Sequence, residues 1–209
     1  MSTAPLRFIT FEGGEGGGKS TQLRLLAETL RQAGETVVTT REPGGAPGAE
    51  EIRRLLVEGE PGRWPPDAEA LLHFAARAEH LTAVIRPALA AGQWVLCDRF
   101  ADSTIAYQGY GQGLDLAWLQ ILRTRIVGET EPGLTLLLDL PVETGLGRVR
   151  EQQRYERMGQ AFHERLHSGF LAIAKAEPER CVVIDATRGI EAVAADARAA
   201  VARRFRVKV

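Results

Sequence analysis

The run Gly13-Gly14-Glu15-Gly16-Gly17-Gly18-Lys19-Ser20 decides the fold. It has the spacing G-x4-G-K-[ST], follows the apolar stretch Leu6 to Phe11, and opens a segment, Lys19 to Ala33, in which Leu23, Leu26 and Leu30 recur at helical spacing. Strand, glycine turn and helix in that order make a phosphate-binding loop. Glycines let the backbone turn tightly and point several N–H groups inward. The helix adds the positive end of its dipole. Lys19 supplies a mobile charge for β- and γ-phosphates, and the Ser20 hydroxyl, next to Thr21, suits Mg²⁺. A merely flexible turn would explain the glycines but not the Lys-Ser-Thr that closes them.

Outward from this loop, apolar runs and helical patterns alternate. Thr36 to Thr40 reads as a second strand, Trp94 to Cys97 as a third, Leu134 to Leu138 as a fourth and Cys181 to Ile184 as a fifth. Helices are predicted over Ala49 to Glu58, Asp67 to Ala91, Asp115 to Val127 and Ile190 to Phe205, with an Arg-rich helical region between the fourth and fifth strands. Glu42 to Gly48 and Pro61 to Pro66 are Gly/Pro-rich connections. Strands that are apolar throughout and separated by helices imply a parallel sheet covered on both faces. Right-handed crossovers then give an α/β, three-layer P-loop fold: a five-stranded parallel sheet, helices on both faces and an Arg-rich lid over about residues 145–160. In such folds ligands bind beyond the carboxyl ends of the strands. Glu12 to Ser20, Arg41 to Gly45, Asp98 to Ser103 and the segment after Asp139 should therefore converge on one cleft. A length of 209 residues fits one domain, 1–209, with a covering segment.

Composition removes several classes. With 26 basic and 27 acidic residues the net charge is -1, so no overall field favours nucleic acid or an anionic membrane. No apolar run approaches the length of a membrane span, and the N-terminus lacks a signal-peptide pattern. Cys97 and Cys181 sit inside apolar runs and read as buried core thiols, which fits a reducing, cytoplasmic compartment. His163 and His167 are spaced i, i+4, but without an acid–histidine motif they read as a solvated helix face. Trp64, Trp94 and Trp118 read as core or interface anchors.

Two further features carry chemistry. Asp98, ending the third strand, either holds water on Mg²⁺ and orients phosphates or caps the following helix; Arg99 beside it favours the first. Arg148, Arg150, Arg154, Arg157 and Arg165 form a cluster that can close over transferring phosphates, the alternative being a solvated basic face. A GTPase would need an Asn-Lys-x-Asp run, which is absent, and a helicase a basic surface and greater length.

At this point the chain resembles the bacterial thymidylate kinases. The resemblance rests on Phe11-Glu12 with the loop through Thr21, on Thr40-Arg41-Glu42-Pro43-Gly44-Gly45 with Glu51-Ile52-Arg53, and on Asp98-Arg99-Phe100, Ser103-Thr104 and Ala106-Tyr107-Gln108-Gly109. These motifs keep the family's order and spacing over nearly the whole chain. The family transfers the ATP γ-phosphate to dTMP, giving dTDP and ADP on the way to dTTP. The resemblance implies that Lys19 and the loop from Gly13 to Thr21 hold the ATP phosphates, with Arg148 against the adenine, near Asp185-Ala186-Thr187. It implies that Arg99 and Arg53 grip the dTMP phosphate, a task suited to a bidentate guanidinium. Arg77 would donate to thymine, with Ser103, Thr104 and Gln108 near the base. Tyr107 would lie where a ribose hydroxyl would clash, Glu15 would receive the 3′-hydroxyl, and Glu42 and Pro43 would wall the acceptor site. Ser20 and Asp98 would hold Mg²⁺. Arg154 is the best match to the lid arginine, with Arg150 and Arg157 as replacements because the lid is short. The long helix Asp67 to Ala91 and the third-strand region would support a homodimer.

The chain departs from the pattern at His73, where the family has a Phe stacked on thymine; Phe74 points about 100° away and is no simple substitute. An imidazole there would make the pocket sensitive to pH near neutrality. Two rival readings stay open: a kinase of similar fold acting on dUMP or a deoxynucleoside, and an ATP-binding regulatory module. Arg99 with Arg53 argues for an acceptor already carrying phosphate. Lys19, Asp98 and the lid arginines argue for transfer chemistry.

Overall fold

A computed structural model describes residues 5–149 and 154–207. Five strands, β1 (Phe8–Glu12), β2 (Val37–Arg41), β3 (Trp94–Asp98), β4 (Leu134–Asp139) and β5 (Cys181–Asp185), form one sheet in the order β2-β3-β1-β4-β5. Every neighbouring pair is parallel. The strand carrying the phosphate loop is therefore central, and all five carboxyl ends lie along one edge.

Because side chains alternate across a strand, each buried strand feeds two cores. Ile9, Phe11, Trp94, Leu96, Leu134, Leu136 and Leu138 meet α1 (Lys19–Gln32) and α9 (Ile190–Phe205) through Leu23, Leu26, Leu30, Val193, Ala197 and Val201. On the opposite face, Phe8, Val95 and Cys97 pack with Leu81 and Ile85, and Leu137 packs with Phe162, Leu166 and Phe170 of α8 (Gln160–Ala176). Both cysteine thiols are buried and free. Burial pushes both up, Cys181 to about 12, as inert core thiols require.

The remaining helices are α2 (Pro47–Val57), α3 (Pro66–His80), α4 (Arg86–Ala90), α5 (Ala101–Thr104), α6 (Leu116–Ile126) and α7 (Val142–Arg148). Two of these depart from the sequence reading. The run expected as one helix, Asp67 to Ala91, is α3 and α4 joined by wide π turns over Leu81–Ile85, where Arg86 N–H donates to the Leu81 carbonyl. Pro87 has no N–H to continue the regular ladder, so the bonding widens ahead of it. The helix expected after Asp98 is α5, continued as π turns over Ile105–Gly111. Its glycines allow close packing: a Cβ on Gly111 would lie 2.5 Å from the Phe162 ring, and one on Gly109 2.5 Å from Leu116.

Candidate active site

The phosphate loop joins β1 to α1. Gly13, Gly16 and Gly18 have φ of 130°, 66° and 82°, values that side chains resist. Gly13 and Gly16 are also pressed from outside: a Cβ would sit 2.5 Å from the Leu138 carbonyl oxygen and 2.1 Å from that of Gly145. Lys19, buried, donates from Nζ to the carbonyls of Gly13 (3.2 Å) and Gly14 (2.7 Å). Burial, then the nearby Arg99 charge, pull its pKa down, while Glu15, Asp98 and Glu12 oppose them. Ser20 Oγ donates to Asp98 Oδ2 at 2.5 Å. Asp98 is thus engaged with the loop, and the residue preceding α5 is Phe100, with no side-chain cap. Glu15 to Thr21 with Asp98 and Arg99 line a hollow over the helix N-terminus.

A second cleft opens beside it. It is lined by Glu15, Glu42, Pro43, Arg53, His73, Arg77, Arg99, Ser103, Thr104, Tyr107 and Gln108, the whole set the resemblance assigns to dTMP. Glu15, Ser20, Asp98 and Arg99 line both spaces. Arg99, at φ 68°, donates to the Gly13 carbonyl (2.9 Å), Ser103 Oγ (3.3 Å) and Glu15 Oε1 (2.9 Å), and its guanidinium lies over the Tyr107 ring. The Tyr107 hydroxyl also donates to Glu15 Oε1. Burial alone would raise the Glu15 pKa, but Arg99, Lys19 and Tyr107 together hold it down to about 2. Arg53 donates to the Pro43 carbonyl at 2.6 Å, following the cis Glu42-Pro43 bond.

The base end of the cleft is built on buried charge. Arg77 donates from Nε to Glu42 Oε2 (2.8 Å) and from Nη2 to the Phe100 carbonyl (3.1 Å) and Thr104 Oγ1 (3.0 Å); Nη1 has no partner among the described residues. Glu42 lines the wall, but its oxygens are spent on Arg77 and His80. His73 lies in the cleft with Nε2 2.9 Å from the Tyr155 hydroxyl, while Phe74 belongs to the core, its ring facing the Arg77 guanidinium at 5.0 Å. Burial, then the charges of Arg77, Arg99 and Arg53, bring His73 down to about 3. These effects favour a neutral imidazole in the free pocket, against the pH sensitivity near neutrality expected from the sequence.

The lid arginines are placed differently from the sequence expectation. Arg154, buried, pairs with the buried Glu69 and donates to the Leu56 carbonyl at 2.9 Å, rather than joining the loop hollow. The reason is Glu69: a carboxylate without solvent needs a counter-charge, and Arg154 supplies it alongside amide donors from Gln108 and Gln112. Arg157 is held by Glu60 and the Gly59 carbonyl, and Arg165 by the Gly111 carbonyl. Arg148 stands next to the loop, 3.4 Å from the Gly16 carbonyl. Arg150 lies outside the described residues. His163 is buried and burial lowers its pKa, and His167 pairs with Asp139 at 2.6 Å, so that helix face is not simply solvated. No cluster of three metal-ligating side chains occurs among the described residues.

Sequence reasoning placed Glu12 in a cleft-forming segment but gave no role to it, to Tyr155 or to His80. Glu12, the last residue of β1, is buried and accepts from Phe100 N–H (2.7 Å) and Ser103 Oγ (2.6 Å). Burial first, then the Asp102 charge, push it up to about 7. A strand-ending acid directly before the glycines was the available signal. Tyr155 closes the cleft edge-on to Tyr107.

A phosphate loop on the central strand of a parallel sheet, with a second cleft sharing its charged rim, defines an ATP-dependent nucleotide kinase. Residues 11–197 match the family model "Thymidylate kinase", and the chain belongs to that family. It is 56% identical over 191 residues to the thymidylate kinase of Caulobacter vibrioides, covering 90% of this chain and 92% of that one. The thymidylate kinase of Ruegeria pomeroyi is 53% identical over 193 residues, covering 90% and 91%. The crystal structure of the Ehrlichia chaffeensis thymidylate kinase superposes with a TM-score of 0.76 at 38% identity, covering 91% of this chain and 94% of that one. The reaction is the ATP-dependent phosphorylation of dTMP to dTDP.

Proposed function

We propose that the loop hollow holds the ATP phosphates and the adjoining cleft holds dTMP, as parts of one kinase unit spanning residues 1–209. The supporting observation is the shared rim: Glu15, Ser20, Asp98 and Arg99 border both spaces, so donor and acceptor phosphates meet there. Lys19 and the inward N–H groups take the β- and γ-phosphates. Arg99 and Arg53 take the acceptor phosphate, Arg77 Nη1 the thymine edge, and Glu15, held by Tyr107 and Arg99, the 3′-hydroxyl. Ser20 Oγ and Asp98 Oδ2 form an oxygen pair at the shared rim, the donor chemistry a hard divalent cation takes, and these two residues would hold Mg²⁺. When bound it would neutralise phosphate charge. Transfer rests on positioning and electrostatics, without a covalent enzyme intermediate. Arg148 is the described lid arginine nearest the loop; Arg154 reaches the transferring group only if lid closure exchanges its Glu69 contact for phosphate.

We also propose a homodimer in the cytoplasm. Leu71 of α3 and Leu116 and Ile121 of α6 are exposed apolar side chains on helices that pack together, a surface suited to a second copy. Light scattering on Leu71→Glu/Ile121→Glu should report monomers if this face forms the dimer.

The testing experiment is ADP release with ATP and Mg²⁺, using dTMP, dUMP, ribosyl-TMP and thymidine as acceptors, in wild type and Arg53→Ala. The expected result is strong turnover with dTMP only, and a KM for dTMP raised at least about 10-fold in Arg53→Ala, since a charge-assisted hydrogen bond to the acceptor phosphate is lost. Equal turnover of thymidine, or an unchanged KM, contradicts the phosphate role.

A further inference from the structure

From the geometry we infer that His80, with Thr40, is a positioning residue that fixes Arg77, and through it the selectivity of the acceptor pocket for the base. The inference rests on the proposed reading of Arg77 as the base-contacting residue. His80 is fully buried at the end of α3 and carries no part in phosphate transfer. Its Nδ1 is 3.0 Å from Glu42 Oε1, and its Nε2 is 2.7 Å from Thr40 Oγ1. A carboxylate only accepts, so Nδ1 donates to Glu42, and Nε2 meets the Thr40 hydroxyl, which can serve as either donor or acceptor. The other oxygen of Glu42 receives Arg77 Nε at 2.8 Å. Thr40, His80, Glu42 and Arg77 thus form one continuous chain of hydrogen bonds, ending in a guanidinium whose Nη1 has no partner among the described residues.

This chain accounts for the spacing of Thr40-x-Glu42-x-x-Gly45. Gly45 sits at φ 86°, and a Cβ there would lie 2.4 Å from Thr40 Oγ1 and 2.5 Å from His80 Nε2. The glycine leaves room for the Thr40–His80 contact. Without His80, one oxygen of a buried carboxylate loses its donor and Glu42 is free to rotate, carrying Arg77 Nε with it. A misaimed Nη1 no longer distinguishes a carbonyl acceptor on the base, as in thymine, from an amino donor at the same position, as in cytosine.

The test compares KM for dTMP, KM for ATP and the ratio of kcat/KM for dTMP over dCMP in wild type, His80→Leu, His80→Asn, Thr40→Val and Arg77→Leu. We expect His80→Leu to raise the dTMP KM and lower the dTMP:dCMP ratio, each about 10-fold, the equivalent of one lost hydrogen bond, with the ATP KM within twofold of wild type. His80→Asn keeps an N–H at the Nδ1 position and should restore most of the ratio. Thr40→Val, which deletes only the outer bond, should show a smaller shift in the same direction and serves if His80→Leu does not fold. A dTMP:dCMP ratio unchanged in His80→Leu or, where that variant fails, in Thr40→Val, overturns the inference while Arg77→Leu still lowers it. If Arg77→Leu itself leaves the ratio intact, the base-reading role of Arg77 is what falls.

Discussion

At the residue scale, the acceptor cleft is governed by groups whose ionisation is set by their neighbours. His73 is the clearest case. Burial and three arginines hold it neutral far below its usual range, so its replacement should change affinity without changing pH behaviour. The KM for dTMP measured from pH 6 to 8 should follow parallel curves in wild type and His73→Phe. A step near the ordinary histidine pKa present only in wild type would contradict this. Glu12 behaves oppositely. Its pKa rises from 4.5 to about 7 on folding, so between those values the folded chain binds a proton the unfolded chain has released. Its contribution to stability is therefore complete below pH 4.5 and is lost as pH rises through about 7. Glu12→Gln, of the same shape, removes this loss. Relative to wild type it should gain up to about 3 kcal/mol in unfolding free energy between pH 5 and pH 8, read from denaturant titrations at both.

At the scale of elements, the phosphate loop is held as much from outside as from within. Gly16 has a left-handed backbone and the Gly145 carbonyl of α7 directly against it; Gly14 has open space around it. Gly16→Ala should therefore lower the melting temperature by several degrees and weaken ATP binding more than 10-fold, as strain and a backbone clash together cost more than about 2 kcal/mol. Gly14→Ala should melt near wild type. Differential scanning fluorimetry with and without ATP measures both.

The five strands were legible because apolar runs between turn residues leave little else for the chain to do. The cleft residues were reached through the resemblance, whose motifs keep a fixed order: Glu42 and Arg99 directly follow strands, whereas Arg53, His73 and Arg77 lie on α2 and α3. The widening of the helix after Asp98 into π turns over Ile105–Gly111 was not legible, since no local pattern distinguishes π from α turns. The partners of Glu69 and His80 were equally hidden: each is supplied by a distant segment, Arg154 to one and Thr40 and Glu42 to the other, and no local period announces such a pairing.

At the scale of the whole molecule, the lid is moored to the acceptor side by a buried ion pair, Arg154 with Glu69. Removing only the arginine strands a carboxylate in a site without solvent, so Arg154→Ala should cost about 3–5 kcal/mol in stability, and Glu69→Gln/Arg154→Ala should recover most of it. Turnover separates the two tasks of this side chain. If Arg154 also serves the transferring phosphate, the double variant will melt like wild type and still be slow; recovery of both would leave it a purely structural tether.

The sheet presents Glu12, Arg41, Asp98, Asp139 and Asp185 as the last residues of its five strands, one charge at the end of each. Behind that row lie the closely packed apolar residues that secure the fold, and in front of it lie the loops that meet nucleotides. For anyone wishing to retailor the catalyst, this row is a natural cutting line: loop sequences from a kinase with another appetite can be grafted beyond it while the scaffold behind is left untouched.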